Sequence, residues 1–158
     1  MPALRALLED AGFTHVRTYL QSGNVVLRSD AQPERVAHEC ERLLAGELGV
    51  EVAVVARTAA ELAAVVRKNP LAAVAGDPKR YQVTFLGSRL PAATLKKLEA
   101  AAAAEERFVI AGRELYAWHP SGVARSRLWT ALAGKGLGVV ATSRNWTTVE
   151  ALHELARS

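Results

Sequence analysis

Residues 17–27 read Arg-Thr-Tyr-Leu-Gln-Ser-Gly-Asn-Val-Val-Leu. β-Branched and aromatic residues flank a glycine-containing turn, which is the sequence signature of a β-hairpin. Charge selects the register. With Gly23-Asn24 as the two loop residues, Leu20 faces Leu27, Tyr19 faces Arg28 and Arg17 faces Asp30. A Ser22-Gly23 loop would set Arg17 opposite Arg28, and like charges directly across a ladder are unfavourable. The first register is therefore expected. Thr18, Leu20, Ser22, Val25 and Leu27 then share one mostly apolar face, and Arg17, Tyr19, Gln21, Val26 and Arg28 share the other.

Working outward, Pro2–Glu9 carries Leu4, Leu7 and Leu8 on one helical face, with Gly12 beyond its end. After the hairpin, Pro33–Leu48 carries Val36, Cys40, Leu43, Leu44 and Leu48 on one stripe, with Gly49 as stop. Cys40 lies on that stripe and reads as a core residue, not a nucleophile. Val50–Ala56 is a mostly apolar strand. Thr58-Ala59-Ala60-Glu61 is a capping box opening a helix to about Lys68, which Asn69-Pro70 stops. Leu71–Arg80, containing Gly76-Asp77-Pro78, is a linker. A second series follows. Tyr81–Leu86 is a strand, Pro91–Ala104 a helix, and Arg107–His119 a hairpin turning at Ala111-Gly112-Arg113. Ser126–Leu137 is a helix, a strand begins at Val139–Ala141, and Thr147-Thr148-Val149-Glu150 is a second capping box opening the last helix.

The two series superpose at a single displacement of 89 residues, which carries Gly23 onto Gly112 and Pro2 onto Pro91. The same displacement carries Leu48-Gly49-Val50 onto Leu137-Gly138-Val139, and Thr58 and Glu61 onto Thr147 and Glu150. The unit is strand–helix–hairpin–helix–strand, the split βαβ plan. An α+β fold of two ferredoxin-like repeats related by internal duplication is expected, with residues 1–70 the first, 71–80 the linker and 81–158 the second. The counterpart of Tyr81–Leu86 falls ahead of residue 1. The first repeat is therefore expected to lack its first strand, as in an N-terminally shortened chain. That leaves an open sheet edge through which copies of the chain could pair.

Half of the residues are hydrophobic and 23% are charged, a globular composition. No apolar run approaches the roughly 18 residues of a membrane span. The first ten residues lack the basic-then-apolar pattern of a signal peptide, and a single cysteine excludes an internal disulfide framework. A cytoplasmic protein with no membrane partner is expected. The net charge of +4 is uneven: residues 1–76 hold 8 Lys/Arg against 9 Asp/Glu, and residues 77–158 hold 12 against 7. A basic second half suits an anionic partner.

Three stretches, in order, carry a family resemblance: T-Y-L-Q-S-G-N-V-V at 18–26, P-S-G-V-A-R-S-R-L-W at 120–129 and A-T-S-R-N-W-T-T-V at 141–149. Together they resemble the bacterial domain-of-unknown-function family 1697, over essentially the whole chain. The resemblance implies an α+β fold of ferredoxin-like halves within a single family domain, residues 1–158, and no established activity. Members of the family begin with a further strand and a Leu-Arg-Gly-Ile-Asn-Val-Gly-like loop that this sequence lacks.

Places where the two copies differ in polarity are not required by the fold as such. Gln21-Ser22 stand against Ile110-Ala111, and Asn24 against Arg113. Arg125-Ser126-Arg127 stand against Val36-Ala37-His38, and Ser143-Arg144-Asn145-Trp146 against Val54-Val55-Ala56-Arg57. Candidate ligand-binding residues are thus Tyr19, Gln21, Ser22 and Asn24 on the hairpin, Arg125, Ser126 and Arg127 before a helix, and Arg144, Asn145 and Trp146. Guanidiniums and free backbone N–H groups at a helix start suit a phosphate or carboxylate. Each group also has a structural reading. The hairpin face can lie against the other repeat, and Ser126 can be an ordinary N-cap. Trp146, ahead of a Thr147 cap, can staple onto Ala151 or Leu152. Arg144 and Asn145 can belong to a buried hydrogen-bond network.

Catalytic signals are thin. His15, His38, His119 and His153 show no metal-ligand spacing, and Ser22 is not in a G-x-S-x-G elbow. Gly134-Lys135-Gly136 lacks the Walker spacing and reads as a helix stop. No catalytic residue, metal or cofactor is assigned, and whether the chain is an enzyme stays open. The expected function is a non-catalytic binding module for an anionic ligand, either a phosphate-containing small molecule or nucleic acid. Tyr81–Phe85 and Arg107–Ile110 lack the RNA-recognition-motif signature. One alternative is a small-molecule enzyme or sensor with a pocket between the repeats lined by Gln21, Asn24, Arg144 and Asn145. Another is an assembly protein pairing through the open sheet edge.

Overall fold

A computed structural model describes residues 2–19, 23–133 and 137–157. Its first elements are helix α1 (Pro2–Asp10), strands β1 (Thr14–Tyr19) and β2 (Asn24–Arg28), and helices α2 (Pro33–Leu48) and α3 (Ala59–Lys68). Strand β3 (Tyr81–Leu86), helix α4 (Ala92–Ala101) and strands β4 (Arg107–Ala111) and β5 (Glu114–Trp118) follow. Helix α5 (Arg127–Ala133), strand β6 (Ala141–Asn145) and helix α6 (Trp146–Arg157) complete the series. The fold is mixed α+β. One sheet has two strands, β1-β2, and the other has four in the order β4-β5-β3-β6, with every neighbour antiparallel. None of the described helices is long and apolar enough to cross a membrane. The chain divides into two compact units, residues 1–63 with 151–158, and residues 64–150.

In the first unit, Leu4 and Leu8 of α1, Val16 of β1 and Leu43 of α2 form the core, with Val25, Leu27, Cys40 and Leu44 packed on it. Each fully buried aliphatic contributes about 1.5–3 kcal/mol. The stripe expected on α2 holds except at its end, where Leu48 is 41% exposed. Burial raises the Cys40 thiol above its ordinary range, and the carboxylates of Glu39 and Glu41 add to this, which disfavours the thiolate.

The hairpin register corrects the one inferred from charge. Arg17 pairs with Val26, Thr18 with Val25 and Tyr19 with Asn24, so Asn24 is a strand residue and the Arg17–Asp30 pair does not form. Arg17 instead donates from Nη2 to the Leu155 carbonyl at 2.7 Å. An exposed Arg–Asp pair is too weak to compete with a charge-assisted bond of that kind. The slip is an even number of residues, so Arg17, Thr18, Tyr19, Val25 and Val26 keep their expected faces. A bulge, with His15 at φ +53°, absorbs a register shift between Thr14 and Arg17.

Val50–Ala56 is not a strand. The segment carries no regular structure and pairs with no strand among the described residues. Val50 and Val52 are exposed, and the Val54 N–H is satisfied by Glu41 Oε2 at 2.8 Å. β-Propensity without a partner ladder leaves the backbone to find bonds elsewhere. The capping box at α3 forms as read: Thr58 N donates to Glu61 Oε1 (2.8 Å) and Glu61 N to Thr58 Oγ1 (3.1 Å).

In the second unit β3 is central. Helices α4 and α5 cover one sheet face, around Leu98, Leu115, Ala117, Leu128 and Leu132. On the alternate face Tyr81, Val83, Phe85 and Tyr116 are buried. The Tyr116 hydroxyl donates to the Val65 carbonyl (3.0 Å) and the Tyr81 hydroxyl to Asn69 Oδ1 (2.9 Å). These bonds draw residues 64–70 to the second unit, so the division falls inside α3 and not in the 71–80 linker. Burial pushes the Tyr81 phenol up to about 12 and raises that of Tyr116 as well, so both stay neutral donors. The β4–β5 hairpin turns at Gly112-Arg113, with Gly112 at φ +62°, a conformation that a side chain would strain.

The second expected capping box does not form. Helix α6 begins at Trp146, and Asn145 Oδ1 caps it by accepting from Thr148 N at 2.9 Å. Trp146 is buried, stacks on Tyr81 at 4.9 Å and donates its backbone N–H to the Pro78 carbonyl at 3.1 Å. These contacts start the helix earlier than Thr147 would, so Trp146 is no staple ahead of a Thr147 cap.

Candidate functional site

At one end of the four-stranded sheet β3 and β4 begin while β5 and β6 end. Trp118 pairs with both Arg107 and Tyr81 there. One residue further out lie Glu106, His119 and Arg80, and His119 N donates to the Arg80 carbonyl at 2.9 Å. Glu106, His119 and Ser126 are all buried, with His119 fully so.

The three form one network. The Ser126 hydroxyl donates to Glu106 Oε2, and His119 Nδ1 lies 2.6 Å from Ser126 Oγ. Glu106 Oε1 accepts from the backbone N–H groups of Ala103 (2.7 Å) and Leu128 (3.1 Å). Ser126 Oγ also accepts from Trp129 N at 2.9 Å, the N-cap bond of α5. Because the Ser126 proton goes to Glu106, His119 Nδ1 must donate, which assigns the neutral ring as its Nδ1–H tautomer. Burial favours that neutral form and holds the His119 pKa below its ordinary value, against the opposing pull of Glu106. For Glu106, burial favours the protonated form. The Ser126 hydroxyl, the two backbone donors and His119 outweigh it, so the carboxyl titrates below its usual range.

The network joins Glu106, His119 and Ser126, and exposed cations lie beside it. Lys79 and Arg80 precede β3, Arg107 opens β4, and Arg125 and Arg127 flank Ser126. Arg80 donates from Nη1 to the Pro120 carbonyl (2.6 Å) and approaches Asp77 at 3.5 Å. Arg107 donates to the Ala104 carbonyl at 2.7 Å. Lys79, Arg125 and Arg127 form no ion pair among the described residues. The second unit holds 13 Lys/Arg against 6 Asp/Glu, while the rest of the chain holds 7 against 10.

Several residues expected at a site have structural work. Ser126 caps α5 and Asn145 caps α6. Trp146 packs on Tyr81. Arg144 is half-buried and donates from Nη1 to Thr142 Oγ1 (2.7 Å) and to the Ser143 carbonyl (2.8 Å); burial lowers its pKa from the ordinary value. In the first unit Asn24 is buried and donates to the carbonyl of its cross-strand partner Tyr19 at 3.1 Å. Gln21, Ser22 and the Gly134-Lys135-Gly136 stop lie outside the described residues. The sheet end thus gathers Arg125, Ser126 and Arg127 with Asn145 and Trp146. Glu106 and His119 were not legible as partners of Ser126, being 20 and 7 residues away from it with no recurring spacing.

A family model described as "Protein of unknown function (DUF1697)" matches residues 1–116. The chain belongs to this family. Its fold is similar to that of a conserved bacterial protein from Streptococcus pneumoniae, with a TM-score of 0.74 and 16% sequence identity over 99% of this chain and 88% of that one. No curated protein matches the chain.

Proposed function

We propose that this protein is a non-catalytic binding module for a phosphate-containing anion, held by Lys79, Arg80, Arg107, Arg125 and Arg127. The observation that carries this reading is the convergence of these cations, all exposed, on one end of the second unit's sheet. Guanidinium and ammonium donors match phosphate oxygens in charge and hydrogen-bonding geometry. The buried Glu106–Ser126–His119 network supplies the rigidity, since it ties residues 119–127 to the start of β4 before any ligand arrives. A nucleophilic role for Ser126 has less support. Its proton is given to Glu106, and its lone pairs are taken by His119 and Trp129.

The test is fluorescence anisotropy with labelled oligonucleotides and inorganic polyphosphate. Affinity should fall steeply as salt rises, and Arg125→Ala and Arg127→Ala should each lower the slope of log affinity against log salt by about 1. Binding that is insensitive to salt, or unchanged in the double variant, would overturn the reading.

The same reading takes the second unit as a ferredoxin-like repeat and the first as its duplicate. It is supported by the succession β3-α4-β4-β5-α5-β6 with the split βαβ strand order. It is also supported by left-handed glycines at matched positions: Gly112 (φ +62°) and Gly138 (φ +73°) answer Gly23 (φ +83°) and Gly49 (φ +65°). Family sequences whose two halves fail to align at this offset would count against duplication.

A further inference from the structure

We propose that the anion taken at this basic end is single-stranded nucleic acid, with one base stacked on Trp118; the inference depends on the anion-binding reading above. Trp118 is only partly buried and lies directly across the ladder from exposed Arg107, so the two side chains leave the sheet on the same face. Aromatic stacking beside backbone-directed cations is how single strands are held without sequence preference. The other aromatics of this sheet face are committed to the core. Tyr81 and Tyr116 are 2% and 1% exposed, and Trp146 is stacked on Tyr81. Among the described residues this face therefore offers one stacking position, unlike the multi-base platform of an RNA-recognition motif.

The layout of the cations also favours a polymer over a small phosphate. They come from three chain segments and stand exposed, whereas a small ligand needs a concave site that encloses most of its surface. The cleft of about 550 Å³ beside β4 reaches Arg107, but Glu99 and Glu106 also line it beside Leu95, Phe108 and Ile110, and carboxylates there oppose a phosphate. A duplex keeps its base faces stacked internally, so it would leave Trp118 unused.

Equilibrium binding at low salt would compare single-stranded DNA and RNA, duplex DNA and inorganic polyphosphate, using the full chain and its Trp118→Ala variant. Single strands should bind more tightly than duplex or polyphosphate. Trp118→Ala should weaken single-strand binding by roughly tenfold or more and leave polyphosphate binding unchanged, which also shows that the variant is folded. If polyphosphate binds as well as single strands, or the variant loses both equally while folded, the stacking proposal fails and the anion-binding reading stands. If no polyanion binds, both fail. Should Trp118→Ala not fold, Trp118→Phe decides: oligonucleotide quenching of tryptophan emission should disappear while binding persists, and quenching that survives refutes the proposal.

Discussion

Ser126→Ala tests the buried network most directly. The hydroxyl serves three partners: it donates to Glu106 Oε2 and accepts from His119 Nδ1 and from Trp129 N. Removing it takes the cap from α5, which costs about 0.5–2 kcal/mol. It also leaves a buried carboxylate oxygen and a buried imidazole N–H without a partner, at about 1–3 kcal/mol for each stranded group. The cap bond is one of the three, and the remaining donors to Glu106 stay in place, so the combined loss should be about 3–4 kcal/mol. All three tryptophans, Trp118, Trp129 and Trp146, belong to the second unit, so intrinsic fluorescence during urea denaturation reports on it. At about 2 kcal/mol per molar urea, the midpoint should fall by about 1.5–2 M. Ser126→Thr keeps the hydroxyl and should retain most of the stability. A loss below about 1 kcal/mol for the alanine variant, the size expected of a substitution touching no special feature, would refute the account. So would an equal loss in the threonine variant.

Two further outcomes are expected. His119 has a folded pKa below its ordinary value of 6.5, so the unfolded chain takes up a proton first as pH falls. Stability should therefore decline from about pH 6.5 downward, and again below 4.5 as Glu106, also lowered, is titrated. His119→Asn, which keeps a donor toward Ser126, should flatten the upper part of that decline in urea titrations at stepped pH; an unchanged profile would show that His119 is not responsible. Asn145→Ala should lower thermal stability by about 1 kcal/mol through loss of the α6 cap while Thr147→Ala changes little, and the reverse ranking would restore the Thr147 cap.

The elements of this chain were largely legible because they depend on local chemistry. The leucine spacing of α1 and α2, the Thr58–Glu61 box and the glycine turn of the second hairpin each need only a few neighbouring residues. Ser126 as an N-cap and the basic character of the second half were legible for the same reason. The second hairpin closes on the Ala111–Glu114 pair with a two-residue turn, the kind of turn also expected of the first. The first hairpin departs from it because Arg17 finds the Leu155 carbonyl, 138 residues away.

What the tertiary structure alone decided are the matters that depend on partners remote in sequence. Val50–Ala56 has the composition of a strand, but a strand exists only where another ladder accepts its backbone, and none of the described strands does. Thr147 looks like a cap, yet the docking of Trp146 on Tyr81 moves the helix start and gives the cap to Asn145. The network that holds the basic end together joins Glu106, His119 and Ser126 through β4, β5 and the approach to α5. Residue types and local periodicity determined which elements form. Desolvation and hydrogen bonding between distant segments determined where the cations stand and which polar side chains hold them there.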